Sequence, residues 1–193
     1  VVLNRQIAAA EPMVAASTKA VPGEGPLHPA IALVGEQPGD QEDIQGKPFV
    51  GPAGQLLDRA LQEAGIARAD VYVTNAVKHF KFVPRGKKRL HAKPTTAEVK
   101  RYRWWLEKEL DLVRPKLVVA LGATATLALA GKAIPVLKNR GPRVLDGRAG
   151  FITVHPSSLL RAPDDEARRE GFRAFVADLM AAKKFATTHR KAA

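Results

Sequence analysis

No cysteine occurs among the 193 residues. That removes disulfide scaffolds, thiolate zinc sites, cysteine-ligated iron–sulfur clusters and thiol nucleophiles together. Long apolar runs are missing as well. The longest stretch without a charged residue, Leu117 to Gly131, is broken by Gly122, Thr124 and Thr126 and falls short of the ~20 apolar residues of a membrane helix. The N-terminus has no basic head leading into an apolar core and a small-residue cleavage site, so no secretory signal is read, and the start at Val1 suggests an excised or processed chain. No internal repeat is visible. Acidic residues are in deficit: 19 Asp plus Glu face 31 Lys plus Arg, for a net charge of +12. The expectation is a cytoplasmic protein with a polyanionic partner and no membrane contact.

The remainder reads as one domain of alternating strands and helices. Ile31 to Val34 is a short apolar run that ends on Gly35, and Val71 to Val73, Leu117 to Leu121 and Phe151 to Val154 read the same way. Between them, Pro52 opens a helix carrying Leu56, Leu57, Ala60, Leu61 and Ala64 on one face. Thr95 and Glu98 form a capping box for a second helix with Val99, Tyr102, Leu106, Leu110 and Val113 at helical spacing. Ala123 to Ala130 makes a short helix, and Asp164 or Asp165 caps a last one reaching about Lys183. The fold class predicted is α/β, a three-layer αβα sandwich around a parallel sheet of about four strands. The predicted organisation is an N-terminal segment 1–16, a domain 17–183 and a disordered basic tail 184–193.

Ligands of such sheets sit beyond the carboxyl ends of the strands, which draws attention to the loops Gly35 to Gly51, Thr74 to Pro94 and His155 to Pro163. The first fails the dinucleotide fingerprint, which needs three glycines at a tighter spacing than Gly35 and Gly39 offer, and it fails the phosphate-loop pattern because Pro48 stands where a magnesium-binding hydroxyl is required. It offers Glu36 and Gln37 on a stiffened turn, suited to orienting a water or a small ligand; a solvated loop residue is the competing reading of Glu36. The second carries seven cations and no acid between Lys78 and Lys93, with Phe80 and Phe82 interleaved. A stripe of this kind is often only a solvated face. Its length and its position on the ligand side of the sheet favour nucleic acid. The third presents His155, the hydroxyls of Ser157 and Ser158, Leu159, Leu160 and Arg161, a set able to grip phosphates and wedge a base stack. Taken one at a time, these are equally a core histidine and the start of a helix.

Five segments stand in order across about residues 17 to 180: Gly35-Glu36-Gln37-Pro38-Gly39, Lys47 to Gly54, Thr74 to Phe80, Lys87-Lys88-Arg89-Leu90-His91, and His155 to Arg161. Together they resemble the uracil-DNA glycosylase superfamily, near its UdgX-like branch beside the family-four enzymes. The resemblance implies that Phe49 stacks on a flipped uracil, Asn75 pairs with its Watson–Crick edge, and Glu42 disfavours a thymine methyl. It further implies that His155 donates to uracil O2, easing a dissociative break that leaves an oxocarbenium-like sugar. Lys78, Lys87, Lys88 and Arg89 with Ser157, Ser158 and Arg161 would hold DNA, while Leu159 or Leu160 fills the vacated stack. In the UdgX-like pattern His91 attacks C1′ and bonds to the sugar, with Glu36 orienting it or taking its proton.

Two other readings stay open: a turnover glycosylase in which Glu36 or Gln37 positions water, and a DNA-binding module of the same fold. Uracil-containing DNA is the expected partner, single strands being cheaper to flip. The chain is expected as a monomer, nucleoid-associated when bound to DNA. The family's iron–sulfur ligands align with Ala8, Glu11, His79 and Tyr102, so no cluster and no metal are expected. Tyr102, on the apolar face of its helix, is expected to fill the vacated space.

Overall fold

The structure, a computed structural model, describes residues 2–9, 12 and 19–188. Its centre is a five-stranded sheet of β1 (Ile31–Gly35), β2 (Val71–Asn75), β5 (Leu117–Leu121), β6 (Gly141–Leu145) and β7 (Arg148–Thr153), in the order β2-β1-β5-β7-β6. All neighbours pair in parallel except β6, which runs antiparallel to β7. Every residue of β1, β2 and β5 is buried, as expected of strands covered on both faces.

Alternation along these strands divides the core in two. Ile31, Leu33, Val71, Val73, Leu117 and Val119 face α3 (Pro52–Glu63), α6 (Pro156–Leu160) and α7 (Asp165–Thr188). Ala32, Val34, Tyr72, Val118 and Ala120 face α4 (Thr96–Val113) and α5 (Gly122–Ala130). The result is the expected three-layer α/β sandwich. The four predicted strands are present, and the fifth, β6, is an exposed edge carrying Pro142, a residue confined to such positions.

The predicted caps close as read. Thr95 Oγ1 accepts from the Glu98 amide at 3.2 Å and Glu98 Oε2 accepts from the Thr95 amide at 2.6 Å, while Asp164 Oδ1 accepts from the Ala167 amide at 2.7 Å to start α7. That helix runs beyond Lys183 to Thr188 because Ala186 is buried against the core. Residues 189–193 of the predicted tail lie outside the described residues, as does Glu11. All three segments read as loops hold ordered elements: α2 (Asp40–Gln45) in the first, a hairpin of β3 (Phe82–Arg85) and β4 (Lys88–His91) in the second, and α6 in the third. Ahead of the sheet, α1 (Val2–Ala9) buries Ile7 and leaves Ala8 exposed. No described helix is long and apolar enough to cross a membrane.

Candidate active site

From β1 the chain crosses to β2 on one side, and β5 leads to β7 on the other, so the sheet changes direction between β1 and β5. A cleft of about 860 Å3 opens there, over the strands' carboxyl ends. Glu36 follows β1, Asn75 ends β2, Thr124 lies in the first turn of α5 and His155 follows β7; their side chains meet because four parallel strands end at one level.

Glu36 spans the switch point. Its Oε2 accepts from the Thr124 hydroxyl, and its Oε1 lies 3.2 Å from His91 Nε2. Burial works to raise the carboxyl's pKa, but the hydrogen bonds from His91 and Thr124 and the nearby histidine charges outweigh it, leaving the group below its ordinary value. Glu36 is therefore ionised at neutral pH. His155 is held the other way: burial, helped by the charges of Arg161 and His91 against the pull of Glu36, lowers its pKa to about 4. Its Nδ1 accepts from the Ser157 amide at 3.1 Å as the N-cap of α6. A neutral ring whose Nδ1 accepts carries its proton on Nε2, so His155 is a fixed, uncharged donor.

Close packing fixes the other members. A Cβ on Gly35 would fall 2.4 Å from Asn75 Oδ1 and 2.5 Å from Phe49 Cζ; only glycine lets the amide and the ring come this close to the strand end. Phe49 has a left-handed φ of 56° and sets its ring 6.2 Å from that of His155 at 30°. Gly122, at φ +87°, serves the opposite wall, since a Cβ there would stand 2.8 Å from His155 Cβ. Glu42 lines the cleft with its carboxylate committed, Oε2 accepting from the Gly39 amide at 3.0 Å and Oε1 from the Gly51 amide at 2.9 Å. It braces the loop into which α2 is set.

Several sequence expectations are corrected by burial and pairing. Lys78 is fully buried, with Nζ 2.6 Å from Glu109 Oε2, 2.6 Å from Thr74 Oγ1 and 2.8 Å from the Asn75 carbonyl; it cannot meet a phosphate and instead anchors the backbone of Asn75. Arg89 is spent on Asp40 at 2.6 Å and Asp43 at 2.5 Å, and it covers the rings of Phe80 and Phe82. Gln37 is not placed to orient a water. Its amide donates to the Lys81 and Ala92 carbonyls, both at 3.1 Å, and accepts from the Lys81 amide at 3.2 Å, stapling both feet of the β3–β4 hairpin. Leu159 is buried in the core, which leaves Leu160 as the exposed leucine of that pair at the cleft. The Ser157 hydroxyl lies 2.8 Å from His155 Nδ1, and that of Ser158 donates to the His155 carbonyl at 2.7 Å; both serve the histidine directly.

Lys87, Lys88 and Arg161 are exposed, as are Arg85 and Lys93, and none of the five pairs with an acid among the described residues. The sequence reading missed Thr124, although Gly122-Ala123-Thr124 directly follows a buried strand, and it missed Asp40 and Asp43 as partners of Arg89.

The residues do not fit the cluster implied by the resemblance. The chain has no cysteine; Ala8 is exposed, and His79 and Tyr102 are buried partners, His79 Nδ1 lying 2.6 Å from the Tyr102 hydroxyl. Burial lowers the pKa of His79 and keeps it neutral. Among the described residues there is no group of three or more His, Cys, Asp or Glu side chains able to hold a metal.

The family described as the Uracil DNA glycosylase superfamily matches residues 22–180. A type-4 uracil-DNA glycosylase of Thermotoga maritima is 41% identical over 155 residues, 79% of this chain and 77% of the relative. One of Pyrobaculum aerophilum is 37% identical over 153 residues, 75% of this chain and 74% of the relative. A type-5 uracil-DNA glycosylase of the same organism is 31% identical over 157 residues, covering 72% of this chain and 66% of the relative.

Proposed function

Because the chain belongs to the uracil-DNA glycosylase superfamily, we propose that it excises uracil from DNA by breaking the N-glycosyl bond. The observation that carries this reading is the fixed donor His155, in one cleft with Asn75 and Phe49. A uracil turned out of the strand would stack on Phe49 and pair with the Asn75 amide. As the C1′–N1 bond breaks, its electron pair leaves with the base, and the negative charge that spreads to O2 meets the Nε2–H of His155. The ionised Glu36 faces the positive sugar. Single-stranded DNA is the expected substrate form, with a monomer acting on it.

The sugar then needs a partner. In the first reading water adds to C1′ and gives its proton to Glu36, which agrees with the glycosylase names of the relatives. A second reading, that of the UdgX-like branch, is favoured by one specific observation: His91 Nε2 already touches Glu36 on a hairpin stapled to the cleft. There Nε2 first gives its proton to Glu36, and the lone pair so freed bonds to the cationic C1′, leaving the protein attached.

Incubation with a labelled single-stranded oligonucleotide holding one uracil tests both. Alkali-labile cleavage that is absent with thymine is expected. A heat-stable protein–DNA band lost in His91→Ala would establish capture by that ring, and cleavage without the band would establish water. If neither signal appears, the glycosylase reading fails and a DNA-binding module of the same fold remains.

A further inference from the structure

The cleft is far larger than one pyrimidine, and its wall opposite the hairpin has no part in the chemistry above. That wall is built by the segment that enters β6. Since β6 runs antiparallel to β7, with Gly141 opposite Ile152, its first residue shares the rim with the carboxyl ends of the other strands. The turn before it brings Val136 and Leu137 into the cleft lining.

Leu137 is 78% exposed, and yet its backbone is firmly held. Val136 packs on the core beneath it. The Asn139 side chain donates to the Pro135 carbonyl at 2.7 Å, the Asn139 amide to the Val136 carbonyl at 2.9 Å, and Arg140 clips the segment to α7 through Asp178 at 2.8 Å and the Ala174 carbonyl at 2.9 Å. A leucine shown to water on a braced turn is an apolar contact made in advance. Its surroundings say what kind of partner it meets: from Gly131 to Leu145 there is no acid, and beside Arg140, which is spent on Asp178, stand three further cations, Lys132, Lys138 and Arg143. A polyanion with flat apolar faces fits this chemistry.

We propose that Leu137 forms a second DNA subsite, packing against the base next to the excised uracil on the side away from the hairpin, with Lys132 and Lys138 near its phosphates. This rests on the reading of the cleft as a uracil-DNA site and deepens it. Leu160, exposed on the same cleft, fills the gap left by the flipped nucleotide, while Leu137 fixes the neighbour and so the register of the strand. Leu137 is a binding residue and takes no part in bond breaking.

The test pairs Leu137→Ala with loss of the base it contacts. Oligonucleotides of one length carry a single uracil and either normal neighbours or a tetrahydrofuran abasic analogue at the 5′ side, the 3′ side or both. With normal neighbours, Leu137→Ala should raise the protein concentration that half-saturates single-turnover excision roughly tenfold with the saturating rate within about twofold. With the analogue on one particular side the variant and the parent should become equal, and thermal stability should not change. An equal effect of the substitution on all substrates, no effect on any, or a fall in the saturating single-turnover rate alone would overturn the subsite. If the parent chain excises no uracil, the same cycle is read by fluorescence anisotropy of the labelled oligonucleotides: a binding loss that depends on the neighbouring base sustains Leu137 as a base contact, and one that does not refutes it.

Discussion

The floor of the cleft and the hairpin at its edge are held by different means. Glu36, Asn75, Thr124 and His155 stand on or just beyond strand ends locked by parallel ladders, with two packed cores on either side of the sheet. The hairpin of β3 and β4 has no sheet neighbour, and its outer residues are exposed. It is tied down by side chains: Gln37 at both feet, Arg89 to Asp40 and Asp43, and Lys81 to Glu98 at 2.7 Å. An isolated two-stranded hairpin is marginal in water, so these bonds decide where His91 stands. On the proposed reading, base release and the Glu36 side of the sugar fall to the rigid region, while His91 and the exposed cations Arg85, Lys87 and Lys88 stand on a region that can open locally.

The sharpest way to break this contrast is His155→Ala. Removing a preorganised donor to a developing oxyanion costs on the order of 10²–10³ in kcat, and single-turnover excision should fall by that much while hydrogen exchange in residues 82–91 stays as it was. A loss confined to KM would show that His155 only helps to bind the base.

The second test uses acid. His155 has a folded pKa of about 4 against an ordinary 6.5, so between those values the unfolded chain takes up a proton that the folded one refuses. Its contribution is whole above pH 6.5 and drains away as the pH falls towards 4. Glu36, also lowered, adds a loss below 4.5. Moving from pH 7 to pH 5 should therefore cost roughly 2 kcal/mol through His155, measured by urea unfolding, and most of that difference should vanish in His155→Ala. A flat pH dependence would mean that the histidine is not buried neutral.

Gln37→Ala, the gentlest of the three, sharpens the other side. Losing its partly buried hydrogen bonds should favour hairpin opening by about 1–3 kcal/mol, seen as faster tryptic cleavage at Arg85, Lys87 and Lys88. The global unfolding midpoint should move little. A midpoint that fell together with the hairpin's protection would make the two regions one cooperative unit.

Much of the floor was legible in the sequence, because unbroken apolar strands announce a parallel sheet and the residue after each strand end is drawn to the ligand side. The hairpin was not. Phe82 to His91 buries no apolar face, since the paired Val83 and Leu90 are both exposed, and what orders it arrives from Gln37, Asp40, Asp43 and Glu98, distant in sequence. The same blindness to distance misassigned Lys78: counted by charge it is one more cation of the loop, whereas its partner Glu109, 31 residues on, makes it part of the core. Leu159 and Leu160 could not be told apart until α6 turned one inward. The edge strand β6 was hidden by Pro142 and its largely exposed residues.

The buried hydrogen bond between His79 and Tyr102 also bears on how such a protein comes into being. Where the resemblance anticipates an inorganic cluster, this chain uses two side chains that translation itself supplies. With no cysteine in the chain, no thiolate-held cluster has to be loaded at this corner, and neither iron supply nor exposure to air acts on it there.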